Sequence, residues 1–192
     1  MSELFSIQLQ NRQQQGRDGV WLDLPTTTEQ VQAALRQIGI SSDNPQGLFI
    51  SGYFAEEEKR FAIPYNMVLA SNVDELNFLA ARLETLSAGE RAELNAALQA
   101  PQSELSSIGK ITDFPENVEY YVHLPEVRGP AQLGDYYLNR SGMVDMPEEW
   151  KGGIDTAQFG RYVAQQEQGV FTEYGYLVKS GDEWQKVHEG QP

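Results

Sequence analysis

The sequence predicts an α+β protein made of three small parts in chain order: mixed α/β, helical, and mixed α/β. Three observations lead to this prediction. Near the beginning, short segments alternate apolar and polar residues, as half-buried strands do. In the middle, apolar residues recur at helical spacing behind helix-capping patterns, and aromatic strand segments follow from about residue 109. The predicted parts are residues 1–65, 66–108 and 109–192, the last of which ends in a flexible tail.

The first part combines three strands with one helix. Residues 4–9, 19–24 and 48–53 are predicted strands, bounded by glycine, proline or polar turn residues. Thr26 and Glu29 have the spacing of a capping box, in which each side chain bonds the backbone N–H of the other. We therefore expect a helix between the second and third strands.

Two helices make up the second part. Either Ser71 or Asn72 can cap the first of them. Its apolar face is formed by Val73, Leu76, Leu79, Ala80 and Leu83. Ser87 and Glu90 form another capping-box pattern, which opens the second helix, and Pro101 ends it.

The third part returns to mixed structure. Strands are predicted over residues 118–123, within 169–178, and over 184–187. Between them, a helix is expected over residues 130–139, because Pro130 suits its first position. A second helix is expected over 155–163, with Asp155 as its cap.

Charge is the most informative part of the composition. The chain has 28 Asp and Glu against 14 Lys and Arg, a net charge of −14. Residues 111–192 hold 14 of these acids and only 6 of the bases, a net charge of −8. Binding to nucleic acid or to anionic lipid relies on cationic side chains. We therefore expect no direct binding to either, although solubility alone also accounts for an acidic surface.

Several chemistries have no residues to support them in this sequence. The chain has no cysteine, which excludes disulfides and thiolate chemistry. There is no phosphate-binding glycine motif, and the two histidines, His123 and His188, stand far apart. We expect His123 to have a structural role in an aromatic strand and His188 to be solvated near the tail. No metal, cofactor or catalytic residue is expected.

The sequence also predicts the location of the protein. Residues 1–10 lack the basic and apolar segments of a signal peptide, and no apolar stretch reaches the roughly 20 residues that span a bilayer. We expect a cytoplasmic protein with no membrane contact.

Paired acids are the remaining candidates for catalysis, because two carboxylates can hydrolyse a glycosidic bond. Glu56–Glu58 are followed at once by Lys59 and Arg60, which is typical of a solvated charged turn. Glu148 and Glu149 follow Pro147 in a predicted first helical turn, where acids suit the helix dipole. The structural interpretation is preferred for both, and a hydrolase with an unrecognised carboxylate pair stays as an alternative.

Short motifs recur along the chain in a defined order. They are Gly19–Pro25, Leu48–Tyr53, Asp74–Ala80, Leu133–Tyr137 with Gly142, Met146–Pro147, Ile154–Asp155, Phe159–Arg161, Phe171 and Gly175–Leu177. Their order and spacing resemble the ArdA family of antirestriction proteins over about residues 4–178. That family carries an early Gly-x-Trp segment, an Ile-x-Asp-Tyr strand, a Glu-Leu-Asn helix, a tyrosine-bearing helix and a closing Gly-Tyr pattern.

The resemblance implies both a fold and a function. The implied fold is an elongated dimer in which two small α/β parts flank a helical part. The implied function is inhibition of type I restriction–modification enzymes during entry of a mobile element. Acidic side chains would take the place of DNA phosphates in the DNA-binding channel of the methyltransferase core, without catalysis.

The chain also departs from the family pattern. Gly52 stands where the family usually has Asp, and Gly153 where it has Tyr. Residues 11–16 replace the family's Tyr-Asn-x-Gly loop. The first part is therefore less acidic than the family pattern implies.

Two sets of site residues follow. The inhibitory charge is expected in the third part, where the acids are densest. The candidates are Asp135, Asp145, Glu148, Glu149, Asp155 and Glu167. A homodimer is expected through residues 130–146, where large apolar and aromatic side chains cluster. Its candidate interface residues are Leu133, Tyr136, Tyr137, Met143 and Val144.

One further reading stays open for the function: an acidic adaptor of a mobile element that has this fold but a different protein partner. Salt separates the two binding readings, since phosphate mimicry weakens steeply with ionic strength and an apolar adaptor interface does not.

Overall fold

A computed structural model of the chain describes residues 3–14, 18–41, 46–101 and 103–188. Within these residues it has two small antiparallel sheets and eight α-helices, so the predicted α+β class is confirmed. The strands are β1 (Phe5–Asn11), β2 (Val20–Leu24), β3 (Leu48–Phe54), β4 (Tyr121–Leu124), β5 (Val170–Thr172) and β6 (Gly175–Lys179). The helices are α1 (Thr28–Gln37), α2 (Tyr65–Leu69), α3 (Val73–Glu84), α4 (Ala88–Gln99), α5 (Ile108–Thr112), α6 (Pro130–Asn139), α7 (Glu148–Lys151) and α8 (Thr156–Glu167).

The chain divides into two compact units. Unit 1 comprises Met1–Ser87, Leu105–Pro115 and Lys186–Pro192, and unit 2 comprises Ala88–Glu104 and Glu116–Gln185. The sequence predicted three parts, with residues 66–108 as a helical part of their own. In the structure α3 belongs to unit 1 and α4 belongs to unit 2.

The sheet of unit 1 has the strand order β2-β1-β3, and all its pairings are antiparallel. All three strands predicted for the first part are present. Inward side chains alternate with outward ones along β1 and β2, as the period of a half-buried strand requires, whereas a register shift opposite Gln8 and Leu9 interrupts the alternation in β3. The buried side of β1 and β2 is formed by Phe5, Ile7, Leu9, Leu22 and Leu24.

The first helix begins one residue later than the sequence predicts. Its N-cap is Thr27, and the capping box joins Thr27 to Gln30 instead of Thr26 to Glu29. The reason is a tertiary contact: the Thr26 backbone N–H donates to Asn77 Oδ1 at 2.7 Å, and Asn77 Nδ2 donates to the Thr26 carbonyl at 3.0 Å. These bonds hold Thr26 outside the helix.

The predicted apolar face of α3 is confirmed in full. Asn72 is its N-cap, with Oδ1 accepting from the Glu75 backbone N–H at 2.8 Å. Every residue assigned to that face from the sequence is buried. No described helix is both long and apolar enough to cross a membrane.

The sheet of unit 2 has the antiparallel order β4-β6-β5. The predicted strand over residues 118–123 begins only at Tyr121, because Val118–Tyr120 form a 3-10 turn. The predicted strand over 184–187 is wrong. There the Asn117 side chain bonds the backbone of Gln185 at 2.7 and 2.9 Å, and the Trp184 ring packs edge-on against Tyr120, so side chains replace a strand ladder.

Helices α6 and α8 of unit 2 cross with their backbones in contact. A Cβ atom at Gly160 would lie 1.8 Å from the Pro130 carbonyl oxygen, and one at Gly134 would lie 1.9 Å from the Thr156 oxygen. Only glycine allows this approach, since any larger side chain forces the backbones apart. Both helices were predicted, α6 with Pro130 at its start, and α8 continues beyond the predicted end to Glu167.

One carboxyl group of unit 2 is half-buried with an oxygen that lacks a partner. Glu93 of α4 is partly exposed, but its Oε1 is enclosed and has no hydrogen-bond partner among the described residues. Burial, with a smaller contribution from the charge of Glu90, raises its pKa from 4.5 to about 7. The folded protein therefore binds this proton more tightly than the unfolded chain does, and stability falls as the pH rises from 4.5 through 7.

We predict that Glu93→Gln removes the loss of stability that the parent shows as the pH rises. At pH 8 the variant should be more stable than the parent by about 1 kcal/mol, a value discounted for partial exposure, which raises Tm by about 2–4 °C. At pH 4 the two should melt together. Thermal unfolding across this range is the measurement, and Glu126→Gln, at an exposed acid of the same unit, is the control. A constant gap between Glu93→Gln and the parent at all pH values would contradict the prediction.

Candidate interaction surfaces

The segment between α6 and α8 carries the most accessible of the predicted acids. Asp145, Glu148 and Glu149 are all exposed. Glu148 pairs with Lys151 at 2.6 Å within the short helix α7. Asp145 and Glu149 make neither a salt bridge nor a hydrogen bond to any other described residue. Their carboxylates are therefore available to an outside donor.

Asp135 and Asp155 are closer to structural duties. The Asp135 side chain lies 3.3 Å from Arg140 Nη2 and accepts from Asn139 Nδ2 at 2.8 Å. Such an exposed pair contributes little to stability, and its partners can be exchanged for others. Asp155 is the N-cap of α8, where it accepts from the Gln158 backbone N–H at 2.9 Å, as the sequence predicted.

Glu167 has a different environment from the other predicted acids. One of its oxygens accepts from the hydroxyl of Tyr137 on α6, and the other accepts from Tyr176 of β6 at 2.9 Å. Burial, reinforced by the hydrogen bonds to Glu167, raises the pKa of both tyrosines well above the ordinary value. This carboxylate therefore joins α8 to α6 and to the sheet within unit 2.

The residues predicted for a dimer interface fall into two groups. Leu133 is fully buried in a core cluster with Val127, Ala164 and Tyr176, and the rings of Tyr136 and Tyr137 pack against that cluster. Val144 is half-buried, and Met143 stands 75% exposed. Among the predicted residues, Met143 is the one with most of its surface left for a partner.

One contact of unit 1 was missed in the sequence. His188, expected to be solvated, pairs with Asp113, whose carboxylate is only 2% exposed. Asp113 Oδ1 accepts from the His188 backbone N–H at 2.8 Å and lies 2.7 Å from Nδ1. The imidazole also meets the Phe78 ring edge-on at 5.1 Å. The two residues are 75 positions apart, and no local pattern joins them.

The other histidine lies within the sheet of unit 2. His123 Nε2 donates to the Tyr174 carbonyl at 2.9 Å, and burial lowers the pKa of its ring. Among the described residues no group of three or more His, Asp or Glu is placed to hold a metal ion.

These features define an acidic α+β protein of two units with unpaired carboxylates on its surface. The family model of the antirestriction protein (ArdA) matches residues 15–178 of the 192. The chain therefore belongs to the ArdA family of antirestriction proteins, as the order of its sequence motifs indicated. No curated protein sequence matches the chain.

Glu167 and Asp145 allow a matched stability test. We predict that Glu167→Gln destabilises the protein by about 1–2 kcal/mol, because two hydrogen bonds lose their charged acceptor. Asp145→Asn makes the same chemical change on an exposed side chain and should leave stability unchanged. Urea unfolding followed by circular dichroism measures both. Equal midpoints for the two variants would show that the tyrosine bonds to Glu167 do not stabilise unit 2.

Proposed function

We propose that this protein inhibits type I restriction–modification enzymes by occupying their DNA-binding channel, with its carboxylates in place of DNA phosphates and without catalysis. Membership of the ArdA family is the observation that carries this proposal. The net charge of −14 supports it. The proposed place of action is the cytoplasm, where such enzymes meet incoming DNA.

The physical basis is electrostatic. Duplex DNA carries one phosphate charge per about 1.7 Å of its axis, and an enzyme that encloses it needs a channel rich in Lys and Arg. A folded protein with fixed Asp and Glu side chains can meet those cations by charge-assisted hydrogen bonds. Its field also speeds the encounter, because a cationic channel attracts an acidic body over distance.

Four of the predicted acids are assigned the direct contacts. Asp145 and Glu149 are exposed and unbonded among the described residues, while Glu148 and Asp135 have only surface partners to give up. Asp155 is exposed but also caps α8. Glu167 is assigned the separate role of ordering the tyrosines.

A second candidate function is an acidic adaptor with an apolar interface. The exposed Trp150 of α7, 66% accessible and beside Glu149, favours it. An aromatic anchor of this kind is common at the centre of protein interfaces. Such binding would persist at high salt, whereas phosphate mimicry would not.

The proposal is tested by competition for DNA. The protein should displace duplex DNA from a purified type I methyltransferase core. We predict that single changes such as Asp145→Asn weaken inhibition slightly, by about 1 kcal/mol or less each. Changing Asp135, Asp145, Glu148 and Glu149 together should weaken it at least about tenfold. The melting temperature should stay nearly the same, because exposed charges add little to stability.

A matched control separates position from total charge. Replacing Glu29, Glu56, Glu57 and Glu58 of unit 1 with Gln changes the net charge equally, and all four are exposed. This control should inhibit nearly as well as the parent. Equal inhibition by the parent and the first quadruple variant would contradict phosphate mimicry by these acids. Binding of the protein itself to plain duplex DNA would also contradict it.

We also propose that the protein is a homodimer through residues 130–146, with Met143 as the exposed contact. A two-fold interface places each such residue near its copy, so one change acts twice. We predict that Met143→Glu shifts the mass measured by light scattering at tens of micromolar from twice 21.6 kDa to 21.6 kDa. Val187→Glu, at another exposed apolar residue, should leave the mass unchanged. A monomeric parent would refute the dimer.

A further inference from the structure

The outer face of the unit 1 sheet combines aromatic rings with acids. In one row across the sheet, Ser6 of β1 is paired with Asp23 of β2 and with Phe54 of β3. In the next row, Gln8 is paired with Trp21 and with Gly52. Directly paired residues project to the same side of a sheet, and so do residues two apart on one strand. Asp23, Trp21 and Phe54 therefore share a face.

The indole of Trp21 reaches across the sheet on this face. A Cβ atom at Gly52 would lie 3.0 Å from Trp21 Cη2 and 3.1 Å from Gln8 Cβ. The ring therefore extends from β2 past β1 to β3, where the absence of a side chain at Gly52 leaves room for it. Trp21 is still 49% exposed, and Phe54 is 54% exposed. Packing within unit 1 thus covers only part of the surface of each ring.

Two carboxylates converge beside these rings. The Ser6 hydroxyl oxygen lies 2.9 Å from Asp23 Oδ1 and 3.2 Å from Glu3 Oε1. A hydroxyl has one proton, so it can satisfy only one of the two at a time. Both acids are exposed, and β1, β2 and β3 contain no Lys or Arg. The face is therefore aromatic and negative, with no cation on its strands.

This combination suits a planar cation. Aromatic faces attract cations through their quadrupole, tryptophan most strongly, and a carboxylate at the edge can accept the N–H groups of the same cation. Arg fits better than Lys, because a guanidinium stacks on a ring while its edge donates. DNA phosphate and a second acidic copy of this chain both carry the wrong charge.

We propose that the aromatic-acid face, formed by Trp21, Phe54, Asp23 and Glu3, binds arginine side chains of the restriction–modification enzyme. This inference rests on the proposed function and adds a second recognition chemistry to it. The carboxylates of unit 2 replace phosphates, whereas this face binds an arginine by stacking its guanidinium on the rings and by ion pairs with the two carboxylates. Salt screens a partly buried charge contact less than an exposed one. A guanidinium covered by the rings should therefore stay bound at salt concentrations that weaken the exposed carboxylate contacts of unit 2.

The first experiment uses hexa-arginine as the probe and the full chain as the receptor. The three tryptophans give three indole N–H signals in ¹H–¹⁵N spectra, and Trp21→Phe assigns the one from this face. Hexa-arginine should shift the Trp21 signal and leave that of the half-buried Trp184 in place, while the Trp150 signal should report separately on the assigned carboxylate of Glu149 beside it. Movement of only the other two signals would overturn the inference.

Affinity is measured with leucine variants, which keep apolar volume and remove the ring. The double variant Trp21→Leu with Phe54→Leu should bind hexa-arginine about three- to tenfold more weakly. Trp21→Phe should retain most of the affinity, and Asp23→Asn should lose part of it. Tyr162→Leu removes a ring of similar exposure from unit 2 and is the matched control. Equal affinity for the parent and the double variant would overturn the inference.

The second experiment measures binding to a type I methyltransferase core at low and high salt. The double leucine variant should bind more weakly than the parent at both salt concentrations. The ratio of its Kd to the parent's Kd should be larger at high salt than at low salt. If the core binds the parent and this variant equally, the inference fails while the proposed function stands. If the core binds neither, the proposed function fails, and the peptide titration still decides whether the face recognises arginine. A loss of dimer in the variant would instead make the face an interface between copies.

Discussion

The crossing of α6 and α8 is the contact on which the surface of unit 2 depends. With glycine at 134 and 160, the two backbones touch, and neither helix can slide without a clash. The connection between the helices carries the exposed acids 145–149, so its two ends are held by this crossing. Glu167 adds a second tie, because its carboxylate bonds a tyrosine of α6 and another of β6. Charges that are already ordered before binding need a rigid support, because ordering them during binding would lower the affinity.

Acids of the same type serve different purposes in this chain, and burial decides between them. Glu93 is half-buried, its Oε1 has no partner among the described residues, and a pKa of about 7 holds it partly in its neutral form. Asp113 is buried beside an imidazole, and Glu167 is half-buried and accepts from two hydroxyl groups. Asp145 and Glu149 remain in solvent. A count of acids therefore overstates the charge available to a partner, and the geometry of each carboxylate separates internal ties from accessible charge.

The sequence predicted elements where the decisive contacts are local. The buried face of α3 and the Pro130 start of α6 follow from helical spacing and a fixed proline φ. The exposure of Asp145, Glu148 and Glu149 also follows from the local sequence, where Lys151 is the one neighbouring base and, among the described residues, pairs with Glu148 alone. The cap at Thr27 was misplaced since Asn77, 51 residues away, takes Thr26. The partners of Glu167 and Asp113 come from other elements, and local patterns hold no information about such pairs.

The charge that would serve binding also acts against folding. A chain with a net charge of −14 repels itself most when compact, so each acid kept at the surface lowers stability unless a partner offsets it. Several acids are offset: Glu148 by Lys151, Asp135 by Arg140, and Glu104 by Lys179 at 2.8 Å. Asp145 and Glu149 are not offset by any described residue. If acids served only solubility, they could lie anywhere on the surface. A cationic partner instead favours unpaired acids at one place, and these two lie together on the connection between α6 and α8.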